Sequence, residues 1–368
     1  MRLQTYQYLL IPRNGLSMTD LVYHETFVKH EILPGHPESP DRLRSAMSSF
    51  TAAGLLDDPN VILLKPQKAS LNKIHPIHDE LYIEGIREKS ERGGGFYTND
   101  TAVNAHTYDA ALLAAGGGIE TVERIMQGDS NNAFVLCRPP GHHAEYRRAF
   151  GFCFINNIAV AAEHLLKNSD VQRILIVDYD AHHGNGTQRT FYSSNNVLYV
   201  GLHQDGRTLF PGSGFPDEIG EGDGKGYTVN LAMYPGTGDA SYDLICDRVL
   251  GPLFESYEPE FLLVSVGYDG HFRDPLTSLG LTTSGFAMLN SRLNELAKSY
   301  TDGKIACFLE GGYNLDVMGM CSLNLLQELL GLKVSRFDDS YTESETCSRY
   351  TEDLIDRVIQ ESPLLSSH

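Results

Sequence analysis

The chain has 368 residues, of which 41% are hydrophobic, and a formal net charge of −19. This acidity argues against direct binding to nucleic acid, which requires a basic surface, and is compatible with attraction of a cationic substrate. The longest apolar runs, such as Ile174–Val177 and Phe261–Val266, are far shorter than the ~20 residues that cross a bilayer, which argues against a membrane protein.

Two further features predict a cytoplasmic location. The N-terminal stretch Met1–Gln7 has no apolar segment ending in small residues, so no secretory signal is predicted. The 6 cysteines include no Cys-x-x-Cys pair, which argues against a disulfide framework and against a zinc site built from thiolates. This cysteine usage fits a reducing compartment. The sequence leaves the oligomeric state open, a homo-oligomer included.

From about residue 105, strand-like apolar runs alternate with amphipathic helical stretches. The predicted strands are Ala133–Cys137, Ile174–Val177, Val197–Val200, Phe261–Val266 and Ile305–Leu309. The predicted helices are Thr107–Met126, Asn156–Lys167, Ala240–Glu255, Ser284–Lys298 and Leu315–Leu330. Wholly apolar strands separated by helices predict a mostly parallel central sheet flanked by helices, with the active site at the carboxyl ends of the strands.

We therefore predict one α/β domain over residues 1–368, with a core over about 20–331 and a C-terminal extension over 332–368. Within the extension, an amphipathic helix over Ser348–Gln360 is expected to pack back on the body. The last residues, Ser362–His368, are expected to fray.

The first predicted strand runs into Arg138-Pro139-Pro140-Gly141-His142-His143. Two prolines and a glycine stop a helix and make a rigid turn, so His142 and His143 are presented near the end of the strand. Imidazoles titrate near neutral pH and suit general acid–base chemistry. Taken alone, a histidine pair in a loop is more often an ordinary polar feature.

The second predicted strand runs into Asp178, Asp180 and His182. In extended backbone, residues two apart point to the same side, so these three side chains are predicted to form one row. Two buried carboxylates side by side require a compensating cation, and oxygen and imidazole ligands fit zinc, iron or manganese. Asp269, after strand Phe261–Val266, is the candidate ligand from a second strand, which makes the arrangement that of a catalytic metal site.

The last predicted strand ends in Glu310-Gly311-Gly312-Tyr313-Asn314. Two glycines permit close approach of the backbone and unusual dihedral angles. They allow Tyr313 to reach the mouth of the same site, where a phenol can stabilise the oxyanion that forms on attack at a carbonyl. A tyrosine packed on a tight turn is the alternative for this residue taken alone.

Together these segments resemble the histone deacetylase family, in the class II-like branch of bacterial and archaeal deacetylases and acetylpolyamine amidohydrolases. The resemblance begins at about His36-Pro37-Glu38-Ser39-Pro40 and ends at about Leu330. Its most specific stretches are Arg138–Asn157, Asp178–Thr187, Phe210–Gly214, Val266–Leu276 and Leu309–Asn314. The resemblance implies an arginase-like α/β fold and hydrolytic removal of an acyl group, typically acetyl, from an amine nitrogen.

The same resemblance implies a single catalytic divalent ion, usually Zn²⁺. By motif match, its ligands are Asp180, His182 and Asp269. Tyr313 matches the tyrosine that polarises the substrate carbonyl in the family.

His142 and His143 match the tandem histidines of the family. The resemblance implies that His143, alone or together with His142, takes the proton of the attacking water. Asp178 matches the aspartate that orients the first histidine. Asn185 stands behind the second histidine, where class I members have an aspartate and class II-like members often have asparagine.

A narrow acyl-lysine tunnel and structural potassium ions are also implied by the resemblance. The residues matched to the tunnel are Gly151, Phe152, Phe210, Leu276 and Gly312. A first potassium site matches Asp178, Asp180, His182 and Leu202, with Gly201 where a serine ligand often stands. A second, weaker site matches Phe191, Ser194, Val197 and Tyr227.

Leu276 bears on the choice of substrate. Polyamine-selective eukaryotic relatives carry a glutamate at this rim position to attract a second ammonium group, so leucine favours an acyl-lysine-like substrate. Bacterial polyamine enzymes achieve their selectivity with other loops. Hydrolysis of acetylpolyamines or other small N-acetyl amides is the alternative activity. A binding module without turnover is disfavoured because the chain keeps the ligands and the tyrosine, and a ureohydrolase because no motif for a second manganese ion is evident.

Overall fold

The computed structural model of the protein describes residues 17–366. The prediction that Met1–Gln7 carries no secretory signal therefore lies outside the described residues, as do the last two residues of the predicted frayed end.

Ten strands and eleven helices are found within the described residues. The strands are Thr19–Val22 (β1), Val61–Leu64 (β2), Gly94–Phe96 (β3), Ala102–Asn104 (β4), Asn132–Val135 (β5), Ile174–Asp178 (β6), Val197–Gln204 (β7), Thr228–Met233 (β8), Phe261–Val266 (β9) and Ile305–Leu309 (β10). The helices are Asp41–Ala52 (α1), Leu71–Ile74 (α2), Glu80–Glu91 (α3), Thr107–Gln127 (α4), Asn157–Asn168 (α5), Asn185–Phe191 (α6), Asp239–Ile245 (α7), Gly251–Tyr257 (α8), Thr283–Tyr300 (α9), Leu315–Leu330 (α10) and Glu345–Glu361 (α11).

Eight strands form one sheet in the order β2-β1-β5-β10-β9-β6-β7-β8, and β3 pairs with β4 in a small separate hairpin. All pairings within the large sheet are parallel. Every residue of β5, β6, β9 and β10 is buried, because α4 packs with α3 and α5, and α10 packs with α1 and α9, to form the helical layers. The predicted mostly parallel sheet flanked by helices is confirmed.

All five predicted strands and the main helices are present, but β1, β2 and β8 of the large sheet and the hairpin strands β3 and β4 are missing from the prediction. The strand β1 was missed because it has only four residues and one of them, Asp20, is charged, which breaks the apolar pattern of a buried strand. Its buried carboxylate accepts hydrogen bonds from Arg124 Nε at 2.8 Å and from the Ser130 hydroxyl at 2.8 Å. These partners lie more than one hundred residues away, so the tolerance for a charge in this strand is a tertiary effect.

The predicted helix Ala240–Glu255 is two helices, α7 and α8, joined by a π-helical turn over Cys246–Leu250. The predicted C-terminal helix is α11, and it packs against β8 and α7 as expected. Fraying of the segment after it was a wrong prediction for the described part, since Ser362 N donates to Val358 O at 3.0 Å and Leu365 is buried. The division between core and extension near residue 331 stays a prediction.

No helix in the described range 17–366 combines the length and the apolar composition needed to cross a membrane.

All six cysteines are free and buried.

Candidate active site

The four strands with reactive ends are neighbours in the sheet. In chain order they are β5, β6, β9 and β10, and in space they follow the order β5-β10-β9-β6. Because all these strands are parallel, their carboxyl ends meet at one edge, where an open α/β sheet places its ligands. The residues predicted from separate motifs are therefore brought to a single site.

The histidine turn after β5 is held from below by a buried carboxylate. Glu310, the residue after β10, accepts hydrogen bonds through Oε2 from Gly141 N at 2.6 Å and His142 N at 3.1 Å. The carbonyl of His142 accepts from Gly186 N at 2.9 Å at the start of α6. Both backbone contacts fix where the two imidazoles point. Burial raises the pKa of Glu310 to about 7.

His142 faces carboxylates. Its Nδ1 lies 3.0 Å from Asp178 Oδ2 at the end of β6, and both residues are buried. Burial by itself lowers the pKa of this imidazole, but the charges of Asp178 and Asp180 outweigh burial and raise it to about 10. The first histidine is thus held in its charged form.

His143 lies in the opposite environment. Its ring is 4.0 Å from that of His142, and its Nδ1 lies 2.8 Å from Asn185 Oδ1. A neutral carboxamide supplies no charge to compensate burial, and the imidazoles of His142 and His182 are close by. Burial, and then these two neighbours, hold the pKa of His143 well below its usual range, so this ring is neutral.

A candidate metal centre is formed by Asp180, His182 and Asp269. One potential ligand atom from each residue lies within 4.8 Å of the others. His182 Nδ1 is 2.7 Å from Asp269 Oδ2 and 3.2 Å from Asp180 Oδ1. Burial, and then the charge of Asp180, raise the pKa of Asp269 to about 6. Burial alone would lower the pKa of His182, but its hydrogen bonds to Asp180 and Asp269 outweigh burial and raise it to about 10. Two carboxylates with an imidazole are a ligand set that suits a divalent ion such as zinc.

Asp178 is a correction to the predicted row of three side chains. It does not lie in the cluster with Asp180 and His182 but turns to His142. The strand β6 ends at Asp178 and the next residues form a bend, so the two-residue alternation of extended backbone stops there. The placement beside His142 agrees with what the family resemblance implies.

Gly311 lets the end of β10 approach the carboxylates. Its backbone N donates to Asp180 Oδ2 at 2.7 Å. A Cβ atom at this position would lie 2.5 Å from Asp180 Oδ2 and 2.6 Å from Asp269 Oδ2, closer than side chains can pack. Any larger residue would displace both carboxylates.

Tyr313 is fixed between the end of β10 and the start of α10. Asn314 caps α10 by accepting from Val317 N at 3.2 Å, and Tyr313 N donates to Asp274 Oδ2 at 2.8 Å. The guanidinium of Arg42 lies 5.1 Å from the centre of the Tyr313 ring. Burial, and then the charge of Asp269, hold the pKa of the phenol well above its usual range, so the hydroxyl stays protonated and able to donate.

Two aromatic residues pack against different members of the site. Phe210 packs edge-on against His143 with ring centres 5.1 Å apart and is 38% exposed. Phe152 packs edge-on against Tyr313 with ring centres 6.0 Å apart. Gly151 has a φ of +51°, and a Cβ atom there would lie 2.3 Å from the His143 ring, so only glycine leaves room for the histidine.

The other two residues matched to the tunnel differ in exposure. Leu276 is 37% exposed, as a residue at a rim must be. Its backbone N donates to Asp274 Oδ1 at 2.9 Å, which ties it to the same carboxylate that holds Tyr313. Gly312 is buried and packs against the backbone of Tyr268.

The residues matched to the first potassium site lie at the junction of β6 and β7. The register pairs Asp178 with Gly201, so Leu202 lies one residue beyond the end of β6. The Tyr199 hydroxyl lies 3.5 Å from Asp178 Oδ2, and a Cβ atom at Gly201 would lie 3.0 Å from that hydroxyl.

The residues matched to the second potassium site lie around the turn between α6 and β7. The carbonyl of Phe191 accepts from Ser194 N at 2.9 Å, and the carbonyl of Tyr227 accepts from Tyr199 N at 3.0 Å. Val197 is the first residue of β7. Each of these carbonyls keeps a second lone pair.

Several residues that shape the site have no role in the sequence prediction. They are Glu310 under the histidine turn, Asp274 behind Tyr313, Glu145 beside Asn185, and the buried Glu38, Arg42 and Arg138. Glu310 carried a usable signal, because an acidic residue directly after a wholly apolar strand is unusual. The partner of Glu145 is 40 residues away and left no signal in the sequence.

Comparison with known proteins places the chain among deacetylases. Residues 36–329 match the histone deacetylase domain family. The chain is similar to a probable deacetylase of Archaeoglobus fulgidus, with 40% identity over 319 residues that cover 86% of this chain and 88% of that protein. It is also similar to a histone deacetylase-like amidohydrolase of Pseudomonas aeruginosa, with 34% identity over 81% of this chain and 78% of that protein.

The fold is likewise similar to a solved structure. The crystal structure of the HDA15 HD domain aligns with a TM-score of 0.86 and 32% identity, covering 95% of this chain and 97% of that one. The chain therefore belongs to the histone deacetylase family, in its bacterial and archaeal group.

Proposed function

We propose that the protein is a zinc-dependent deacetylase that hydrolyses the acetyl amide of a lysine side chain. The observation that carries this proposal is the cluster of Asp180, His182 and Asp269 beside two histidines of opposite charge preference. Deacetylases of this family act on acetylated amines and are generally metal-dependent, so the open points are the ion, the roles of the residues and the substrate.

Asp180, His182 and Asp269 would hold the ion through two carboxylates and one imidazole. Three protein ligands leave coordination positions for other groups, which is typical of catalytic rather than structural zinc. A bound Zn²⁺ ion supplies Lewis-acid chemistry, polarising the amide carbonyl and acidifying the attacking water.

His143 accepts the proton of the water as its oxygen attacks the amide carbon. Asn185 holds Nδ1 of this ring, which leaves Nε2 as the basic nitrogen, and the low pKa of His143 supplies the neutral form that a base requires. The tetrahedral intermediate then collapses with cleavage of the C–N bond. The protonated imidazole returns its proton to the departing nitrogen, giving an amine and a carboxylic acid, and the acid then loses its proton to the amine or to solvent.

Tyr313 and His142 stabilise the negative charge that develops during attack and do not take the proton of the water. The phenol of Tyr313 remains protonated and donates to the oxygen that becomes negative during attack. His142, paired with Asp178, contributes a positive charge beside the same centre.

The tunnel supports an unbranched acyl-lysine chain as the substrate. Phe152 and Phe210, which pack against Tyr313 and His143, would line the path of a narrow aliphatic stem, and Leu276, placed at the rim by the resemblance, carries no charge for a second ammonium group. Small acetylated amines such as acetylpolyamines are the second candidate, favoured by the net charge of −19.

Two structural potassium ions belong to the same proposal. Asp178, Asp180, His182 and Leu202 would hold the first, and Phe191, Ser194, Val197 and Tyr227 the second. The buried Asp178 carboxylate and the remaining carbonyl lone pairs are ligands that a monovalent cation accepts. The six buried free cysteines favour a reducing compartment such as the cytoplasm.

The test compares metal-free protein with protein reloaded with Zn²⁺ on an acetyl-lysine peptide, N-acetylputrescine and N-acetylspermidine. We expect hydrolysis only after reloading, inhibition by a hydroxamate, and the highest kcat/KM on the peptide. Asp269→Asn is the matched variant and should lose zinc and activity together. Higher kcat/KM on an acetylpolyamine would move the assignment to the second candidate, and no hydrolysis of any amide would overturn the enzymatic proposal.

A further inference from the structure

Glu145 closes a chain of hydrogen bonds that begins at His143. We infer that Glu145 is a positioning residue: its carboxylate fixes the orientation of the Asn185 amide, and through it the position of the proton on the His143 ring. The inference rests on the proposed function, since it assigns a residue that prepares His143 to act as the base.

The geometry of Asn185 carries the first step. Its Oδ1 lies 2.8 Å from His143 Nδ1, and its Nδ2 donates to Glu145 Oε1 at 2.8 Å. A primary amide has one accepting end and one donating end, whereas a carboxylate only accepts. The end that faces Glu145 must therefore be the NH₂ group, so the carbonyl oxygen faces His143. An accepting oxygen requires the proton on Nδ1 and leaves the lone pair on Nε2.

Glu145 is itself held in place by its backbone. Its N donates to Arg148 O at 3.0 Å, Arg148 N donates back to Glu145 O at 3.2 Å, and the same carbonyl lies 3.0 Å from His78 Nδ1. The side chain is half-buried at the wall of a cavity of about 720 Å³, which Asn185 also lines. A carboxylate on a fixed turn can impose an orientation on the amide, which a mobile surface side chain could not.

The same contact accounts for the amide at position 185. A carboxylate in place of Asn185 would face the Glu145 carboxylate across a 2.8 Å contact, where two negative charges repel each other strongly. With Glu145 in place, the residue at position 185 must therefore offer a hydrogen-bond donor to its carboxylate. Removing the charge of Glu145 should make an aspartate tolerable there.

Steady-state kinetics of the zinc-loaded enzyme test the role of the acceptor. We expect Glu145→Ala to lower kcat about tenfold, as loss of an orienting partner typically does, with KM within about twofold of the wild type. Glu145→Gln keeps an accepting oxygen and should stay within about threefold of the wild-type kcat. The control is Glu221→Ala, which removes another carboxylate from the same cavity, one bonded to Ser193 and not to Asn185.

A double-mutant cycle tests the charge argument. Asn185→Asp alone should lose at least about tenfold in kcat, and Asn185→Asp combined with Glu145→Gln should recover most of it, because the glutamine amide donates to the new carboxylate. If Glu145 had a purely structural role, the double variant would show no recovery, and its loss in kcat would be the product of the two single losses.

The proton position can be measured without turnover. Nitrogen-15 NMR of the histidine rings, with the His143 signals identified by their loss in His143→Ala, should show the proton on Nδ1 in the wild type and in Glu145→Gln. Glu145→Ala should show a mixture of both tautomers. An unchanged tautomer together with an unchanged kcat in Glu145→Ala would overturn the inference. If the wild type hydrolyses no amide, the proposed function fails, and the NMR result still decides whether Glu145 orients Asn185.

Discussion

His142 and His143 are adjacent in the chain and their rings lie 4.0 Å apart, yet a carboxylate faces one and a carboxamide faces the other. Both are buried, so the difference in their pKa comes from the neighbouring charges: the Asp178 and Asp180 carboxylates raise the pKa of His142, whereas the His142 and His182 imidazoles add to the effect of burial and lower that of His143. Groups with pKa values pushed apart in this way can divide charge stabilisation and proton transfer between them.

Tyr313→Phe tests the role of the phenol. We expect kcat to fall about 100-fold or more, because one oxyanion donor is lost, with little change in KM. The contacts of the Tyr313 ring with Phe152 and Arg42 do not involve the hydroxyl, so the ring of the phenylalanine variant should keep its position. Tyr146→Phe, which removes a hydroxyl from an exposed ring in the loop after the histidines, is the control. An unchanged kcat in Tyr313→Phe would show that the oxyanion is stabilised elsewhere.

Leu276→Glu tests the rim. A negative charge at this exposed position should raise kcat/KM for N-acetylspermidine relative to the acetyl-lysine peptide by up to about fivefold, the size of an exposed ion pair. The gain should shrink at high salt, since exposed charges are screened. Leu276→Gln separates charge from shape and should leave the ratio unchanged. Equal ratios in both variants would contradict a charge effect at the rim.

At the scale of elements, α11 supports the loop that carries Phe210. The Tyr350 hydroxyl of α11 donates to Asp205 Oδ2 at 3.0 Å and accepts from Arg207 Nη2 at 2.9 Å. Asp205 is the residue directly after β7, and Phe210 follows five residues later. The C-terminal helix thereby supports the position of Phe210, which the proposed function places in the wall of the substrate tunnel.

We expect Tyr350→Phe to raise KM about threefold with little change in kcat, because losing two hydrogen bonds, each worth about 1 kcal/mol, loosens the loop without touching the metal centre. Arg349→Ala on the same helix is the control, since among the described residues Arg349 forms an ion pair only with the exposed Glu345. Steady-state kinetics on the acetyl-lysine peptide measure both. A fall in kcat at constant KM would argue that α11 acts on the chemistry instead.

At the scale of the molecule, a buried ion cluster joins distant parts of the chain to the site. Glu38 accepts from Arg42 Nη1 at 3.0 Å and from Arg138 Nη2 at 2.7 Å, and all three side chains are fully buried. Arg42 also donates to the carbonyl of Gly312 at 2.7 Å. One carboxylate therefore holds Arg42 in α1 and Arg138 in the turn after β5, and Arg42 in turn holds the backbone before Tyr313.

Glu38→Gln should lower the free energy of unfolding by about 3–5 kcal/mol, because it leaves two buried guanidinium groups without their charge partner. The control is Glu91→Gln at the exposed pair with Arg87, where about 1 kcal/mol or less is expected. Chemical denaturation at neutral pH measures both. Equal losses in the two variants would show that the buried cluster contributes no more than a surface pair.

The same residue predicts a response to acid. Burial alone would raise the pKa of Glu38, but the guanidinium groups of Arg138 and Arg42 lower it to about 2. A carboxylate with a depressed pKa stabilises the fold above its ordinary pKa and loses that contribution as the pH falls towards the folded value. Stability should therefore drop between about pH 4.5 and 2, and Glu38→Gln should flatten this part of the profile. A wild-type profile that stays level over this range would contradict the assignment.

The sequence by itself determined which residue types stand at the strand ends. An apolar run followed by a polar turn is encoded within about ten residues, so β5, β6, β9 and β10 and the reactive residues after them could be read locally. The family resemblance added the expected roles of these residues, and it too rests on short motifs that are local in the sequence.

Only the tertiary structure decided how these ends are arranged. The order β5-β10-β9-β6 requires long parallel crossovers, which no local pattern encodes. It brings Glu310 under the histidine turn and turns Asp178 away from Asp180 towards His142. Glu145 and Asn185 meet in the same way, because the partner of a buried polar group is set by packing across the fold and not by its neighbours in the chain.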